Sequence, residues 1–180
     1  MISSFSEPAA ERFRGEVRAW LDKNWPLDQR NGGDLLTEDE QIEIRRHWDR
    51  KLYEAGYAGL SWPREHGGSS AGPVADAILY EELAFAHAPE GLGRIGRVMA
   101  GPLIMAYGTT AQRERFLPRI LDGTEIWCLG YSEPGAGSDL ASIATSAVRD
   151  GDGYAISGRK IWTSHAHYAD RCVLLAKSSN

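Results

Sequence analysis

The sequence predicts an α+β protein: an all-helical N-terminal domain over residues 1–125, then the opening strands of an antiparallel β-domain over residues 126–180. Three observations lead there. Apolar residues recur at helical spacing through the first two thirds of the chain. After Gly123 the pattern changes to short runs rich in β-branched and aromatic residues. Between two of these runs stands Asp150-Gly151-Asp152-Gly153, a strong hairpin turn signal.

The elements follow in order. Ser6 caps a first helix with Pro8 in its first turn, and Phe13, Val17, Trp20 and Leu21 form its apolar face. Pro26 and Asn31-Gly32-Gly33 end it. Thr37-Glu38-Asp39-Glu40 is a capping-box pattern whose acids also suit the helix dipole. Ile44, Trp48 and Leu52 make the next stripe, closed by Gly56. Pro73 opens a third helix through about His87, with Ile78, Leu79, Leu83 and, in part, Phe85 facing inward. Pro89 opens a fourth through about Tyr107, weakened by Gly91, Gly93, Gly96 and Gly101. Those glycines either permit close packing or simply make a poor helix. Thr109 to Gln112 is a second capping box, starting a helix with Phe116, Ile120 and Leu121 inward and ending at Asp122-Gly123. Strands are expected at Ile126–Leu129, Ser142–Arg149, Tyr154–Ile156, Lys160–Thr163 and Arg171–Lys177. So few strands cover an apolar face poorly, and the chain therefore reads as the front part of a longer polypeptide or as a truncated product.

Composition narrows the function. The 180 residues hold 20 Lys plus Arg against 25 Asp plus Glu, a net charge of −5. Nucleic-acid binding is not expected, because phosphate affinity needs clustered Lys and Arg. No apolar run approaches the roughly 20 residues that span a bilayer, so no membrane partner is expected. Met1 to Glu7 has neither the basic start nor the apolar core of a secretory signal. The two cysteines, Cys128 and Cys172, make no disulfide framework and are expected as buried thiols of a cytoplasmic protein.

Chemistry points to a few segments. Leu129-Gly130-Tyr131-Ser132-Glu133-Pro134-Gly135-Ala136-Gly137-Ser138-Asp139 leaves a predicted strand with little side-chain bulk, so its backbone can approach a bound group. Successive N–H groups there can cradle an anion, and Ser132 and Ser138 add hydroxyls. It is neither a Walker A loop nor a dinucleotide fingerprint. Composition leaves both a surface turn and a cofactor loop open. Lys160-Ile161-Trp162-Thr163-Ser164 places a flat indole beside a hydroxyl, as either a core Trp or a ring-packing one. Trp62-Pro63-Arg64-Glu65-His66-Gly67-Gly68 is a tight turn. His165 and His167 would share a face on a strand, but no third ligand completes a metal site, so no metal is expected. Glu81-Glu82 and Asp150/Asp152 read as solvated acids. No nucleophile elbow or Ser/His/Asp order is present.

Together these segments resemble the acyl-CoA dehydrogenase family of flavoproteins. The resemblance is carried by Tyr131-Ser132-Glu133-Pro134-Gly135-Ala136-Gly137-Ser138-Asp139, by Val148 to Tyr154, by Gly158-Arg159-Lys160-Ile161-Trp162 and by the final strand. Upstream it includes Trp62-Pro63 with Glu65 to Gly68, and Tyr107-Gly108-Thr109 with Gln112-Arg113, Leu117-Pro118 and Gly123. It implies a helical domain, a middle β-domain and a C-terminal four-helix domain, with this chain ending before the last. It implies FAD as cofactor, lined by Leu129, Gly130, Tyr131, Ser132, Gly137, Ser138, Trp162, Thr163 and Ser164. Ser132 would contact the pyrimidine side of the flavin, Trp162 would pack beside the ring and Ser164 would bond near N5. Ser stands at positions 132 and 164 where the family commonly carries Thr. Ser138 would also touch the substrate's pantetheine arm.

The reaction implied is α,β-dehydrogenation of an acyl-CoA thioester, with a general base expected beyond Asn180, so that no catalytic residue is assigned within the chain. Gly93, Gly96 and Gly101 would widen the channel for a bulky acyl group. The run from Ile161 to Asp170 is similar to that of members acting on branched or steroid-derived acyl groups. An electron-accepting flavoprotein or other acceptor and a homo- or hetero-tetramer are implied as partners. The same scaffold also allows a flavin-dependent oxidase or monooxygenase, or a non-catalytic subunit of a heteromer.

Overall fold

The computed structural model describes residues 6–26 and 36–178, so the expected helix stop at Asn31-Gly32-Gly33 lies outside the described residues. The chain divides into two compact units, Met1–Thr124 and Glu125–Asn180.

The first unit is helical. Helix α1, Glu7–Asn24, starts after Ser6 with Pro8 in its first turn, although the Ser6 side chain makes no capping bond. Helix α2, Glu38–Glu54, has the full capping box: Thr37 Oγ1 accepts the Glu40 N–H, and Glu40 accepts the Thr37 N–H at 2.8 Å. Helix α3, Pro73–Phe85, follows a glycine N-cap. Their inward faces meet in one cluster of Val17, Leu21, Trp48, Leu52, Leu60, Ala75, Leu79 and Leu83. Trp20 and Trp48 pack with ring centroids 5.4 Å apart, and Trp25 stands 5.5 Å from Trp48. Removing a buried aromatic such as Trp48 would cost about 3–5 kcal/mol. Two residues assigned inward lie at the margin: Ile44 is exposed, and Phe85, in the last turn of α3, is 69 % exposed.

The fourth helix departs from expectation. Helical backbone begins at Arg94 rather than Pro89. It passes through a π-turn, Gly96–Ala100, into α4, Gly101–Tyr107. Pro102 lacks the N–H an α-ladder needs at its position, and the Gly101 N–H bonds instead to the Gly96 carbonyl. Before the helix, Gly91 and Gly93 press against the buried Asp49, which accepts the Gly93 N–H at 2.8 Å. Helix α5, Thr110–Leu121, has its own capping box from Thr109 and Gln112 and buries Leu117, Ile120 and Leu121.

The second unit holds the strands β1 (Trp127–Gly130), β2 (Ser146–Asp150), β3 (Gly153–Ser157), β4 (Arg171–Leu174) and β5 (Lys177–Ser178). The β2–β3 hairpin is antiparallel about the expected Asp-Gly turn. The other pairings are parallel: β1 with β4, and β2 with β5. The antiparallel expectation thus holds for the hairpin alone, because the long connection from Tyr131 to Asp170 brings the chain back in the direction of β1. Lys160–Thr163 is not a strand; it is extended coil leading into a turn.

Candidate functional site

The segment from Gly130 to Asp139 leaves β1 and is fixed at both sides by specific bonds. Glu133 and Ala136 exchange two backbone bonds, Glu133 N–H to Ala136 O at 2.8 Å and the reverse at 3.0 Å. They close the Pro134-Gly135 turn. Gly130 is buried, and a Cβ there would stand 3.0 Å from Leu174 Cδ1 and 3.1 Å from Cys172 Sγ. That close approach of β4 explains a residue without a side chain at the strand's end.

Glu133 is the anchor. Its Oε1 accepts the Thr145 N–H at 2.9 Å and the Lys160 ammonium at 2.8 Å, and its Oε2 accepts the Ala144 N–H at 2.6 Å. The carboxylate is buried and accepts from three donors. The Lys160 hydrogen bond foremost, with the bonds from Thr145 and Ala144, holds its pKa down to about 2. An acid so committed is a poor proton acceptor, so Glu133 acts on position and not on substrate protons.

Lys160 also donates to the Tyr131 carbonyl at 2.9 Å, and the Ile161 N–H donates to the Ser132 carbonyl at 2.9 Å. The two segments that sequence alone singled out, residues 129–138 and 160–164, therefore run side by side. Ser132 is half-buried at this junction. Trp162 follows it with a left-handed backbone (φ 57°) and 86 % of its surface exposed. A large indole turned outward from a strained position is an unusual surface feature. Thr163 is half-buried and Ser164 exposed, both in the turn where the Ser164 N–H bonds to the Trp162 carbonyl at 3.0 Å. Leu129 and Tyr131 are half-buried, whereas Gly137 and Ser138 are exposed. A Cβ added at Gly137 would meet nothing within 4 Å. An exposed indole, the half-buried Ser132 bonded to the residue before it and the uncrowded backbone at Gly137 thus belong to one unit.

Several expectations need correction. Cys172 is exposed; only Cys128 is buried. His165 and His167 stand in a turn, both packed against Tyr168, whose hydroxyl bonds to His165 Nδ1. Among the described residues no group of three or more metal-ligating side chains is present. Glu82 is not solvated: it is 3 % exposed and receives Arg14 at 2.5 Å and Arg18 at 2.7 Å. Those hydrogen bonds, Arg18's first, hold its pKa below the usual carboxylate range against the opposing effect of burial. Gly93 and Gly101 do not open a channel. A Cβ on Gly101 would overlap the Trp62 ring, and one on Gly93 would lie 2.8 Å from Arg97 Nη1.

The Trp62 turn is likewise a packing device. Its indole N–H donates to the Arg97 carbonyl at 2.9 Å, while the Arg97 guanidinium pairs with Asp49 inside the helical unit. Nothing in the periodicity of α2 marked Asp49. In the sequence it stands as one of six acids in α2, and its pairing with Arg97 emerges only in the fold. Glu133 and Lys160 were visible as letters of the motif, but their pairing across 27 residues was not.

Family comparisons bear on both units. Residues 7–124 match the family model for the acyl-CoA dehydrogenase N-terminal domain, and residues 128–180 match that for the middle domain. The chain belongs to the acyl-CoA dehydrogenase family. It is 47 % identical over 171 residues to acyl-CoA dehydrogenase IpdE1 of Mycobacterium tuberculosis, a match covering 93 % of this chain and 44 % of that protein. The structure of the ChsE4-ChsE5 complex from Mycobacterium tuberculosis matches with a TM-score of 0.82 and 36 % identity, covering 99 % of this chain and 44 % of that one. A structure described as the Tcur3481-Tcur3483 steroid ACAD matches with a TM-score of 0.78 and 34 % identity, over 97 % of this chain and 44 % of that chain. The chain thus spans less than half the length of these acyl-CoA dehydrogenase relatives. Among its described residues, no helix is long and apolar enough to cross a membrane.

Proposed function

We propose that this chain is the N-terminal part of an FAD-dependent acyl-CoA dehydrogenase that introduces an α,β double bond into an acyl-CoA thioester. The observation that carries the reading is the backbone bond from Ile161 to Ser132, which joins the half-buried Ser132 segment to the residue before the exposed Trp162 in a member of this family. FAD, when bound, would accept hydride from the substrate β-carbon. The chain's own residues would hold it. Trp162 would offer its face to the ring, and Ser132 and Ser164 would direct hydroxyls to polar ring atoms. Leu129, Gly130, Tyr131 and Thr163 would shape the same wall, and Gly137 and Ser138 would present uncrowded backbone N–H groups to developing negative charge. Ser138 would also meet the substrate arm.

The carboxylate that removes the α-proton is assigned to the sequence beyond Asn180, since Glu133 is held as a charged anchor and Glu82 is occupied by two arginines. A steroid-derived or similarly bulky acyl group is proposed, supported by the likeness to a structure described as a steroid ACAD. A heteromeric assembly is proposed from the likeness to the ChsE4-ChsE5 complex. A cytoplasmic location and an electron-accepting flavoprotein complete the reading.

The test is to express the whole polypeptide that carries this chain, alone and with its neighbouring family members, and to record its flavin spectrum with and without steroid-derived acyl-CoA. Bound FAD that bleaches anaerobically on adding the thioester is expected. Protein that neither contains nor takes up FAD would overturn the reading. Oxygen consumption that needs no CoA thioester would favour an oxidase instead.

A further inference from the structure

We propose that Cys128 and Cys172 form a vicinal dithiol that hydrogen peroxide closes into an intramolecular disulfide, clamping β1 to β4 just before the loop that begins at Gly130. The two cysteines are register partners on neighbouring parallel strands, Cys128 opposite Cys172. Register partners project their side chains from the same face of a sheet. Cys172 Sγ lies 3.1 Å from where a Cβ on Gly130 would stand, two residues along the strand from Cys128 and on the same face. The Cys172 sulfur therefore leans across β1, and the missing side chain at Gly130 is what leaves room for it. Burial, and then the neighbouring Cys172 thiol, push the Cys128 thiol up to about 11. Neighbouring strands lie about 4.8 Å apart, inside the roughly 4.4–6.8 Å range of Cα separations that a disulfide bridges.

The asymmetry of exposure sets the order of events. Cys172 is exposed and Cys128 buried, so the peroxide reaches Cys172 first. Its thiolate attacks one peroxide oxygen and the O–O bond breaks. Cys172 becomes a sulfenic acid, and the departing hydroxide takes up a proton to give water. The Cys128 sulfur then attacks the Cys172 sulfur. An S–S bond forms, the S–O bond breaks, and the hydroxide leaves as a second water with the Cys128 proton. Two thiols are oxidised to one disulfide and one peroxide is reduced to two waters. Because the Cys128 thiol holds its proton, the closing step quickens as pH rises.

The test treats the reduced protein carrying this chain with hydrogen peroxide at low protein concentration, then blocks free thiols with N-ethylmaleimide under denaturing conditions. Peptide mapping without reductant is expected to show the Cys128 and Cys172 peptides joined within one chain, neither alkylated, and separated again by dithiothreitol. Cys172→Ser should leave Cys128 reduced and alkylatable; Cys128→Ser should let Cys172 run on to sulfinic acid. Circular dichroism checks that each variant folds. Phenylarsine oxide gives a reading on the unaltered protein that needs no oxidation: one arsenical bridging both peptides is expected. Sulfinic Cys172 beside fully alkylated Cys128 in the unaltered protein, cross-links only between chains, or no bridging by the arsenical would overturn the proposal.

Discussion

The Lys160 ammonium stands 2.8 Å from the Glu133 carboxylate and 2.9 Å from the Tyr131 carbonyl, and so ties together two segments that chain connectivity keeps far apart. Without it, the Ser132 loop and the Trp162 turn would have the Ile161–Ser132 backbone bond and little else to set their spacing. Replacing Lys160 with Met keeps the stem but leaves a buried carboxylate without its cation, which is more damaging than removing both partners. Lys160→Met is expected to unfold the β-unit at lower denaturant than Lys160→Met combined with Glu133→Gln, as read by hydrogen exchange at Ala144 and Thr145.

The pH dependence of the same unit follows from Glu133. Its carboxyl is held at about 2 in the folded protein, against an ordinary 4.5. A depressed folded value stabilises the fold above the unfolded pKa and stops doing so once both forms are protonated. The contribution is thus fully present at neutral pH and is lost as pH falls from about 4.5 towards 2. Unfolding curves measured across that window should be steeper in pH for the unaltered protein than for Glu133→Gln. Parallel curves would show that the anchor does not titrate as described.

In the helical unit the corresponding weak point is Asp49. It is 1 % exposed, pairs with Arg97 and accepts the Gly93 N–H. Asp49→Ala leaves a buried guanidinium unpaired and should cost about 3–5 kcal/mol of stability, measured by denaturant unfolding followed by helical circular dichroism.

Two glycine substitutions separate packing from ligand contact. Gly101→Ala would drive a methyl group into the Trp62 ring, and overpacking of this kind costs about 1–3 kcal/mol. Gly137→Ala meets open space and should leave the melting temperature unchanged. If Gly137 backs the cofactor, the same substitution should weaken FAD binding in the whole polypeptide. A Gly137→Ala protein that melts early would instead give this glycine a structural role.

Much of this architecture was legible in the sequence where chemistry is local. Both Thr capping boxes, the Pro starts of α1 and α3 and the Asp-Gly hairpin turn depend on residues a few positions apart, and all are present. Three of the failures share one cause, long-range partners. Helical backbone starts at Arg94 because Gly91 and Gly93 are drawn to Asp49. Lys160–Thr163 resembles a strand in composition, yet its backbone N–H groups make one bond, from Ile161 to the Ser132 carbonyl, before the chain turns at Trp162. Glu82 reads as a surface acid until two arginines from α1 close over it. At the candidate site, motif letters marked the right segments, while the ion pair that joins them emerged only in three dimensions.

Trp162 gives the most direct measurement. In the whole polypeptide, FAD is titrated into the flavin-free unaltered protein and into Trp162→Ala, with fluorescence as the readout and melting temperature as the control. Because the indole is 86 % exposed in this chain, its removal should leave the melting temperature of the flavin-free protein unchanged. Loss of ring packing should weaken FAD binding on the order of tenfold. Equal FAD affinity in the two proteins would contradict the account at its centre.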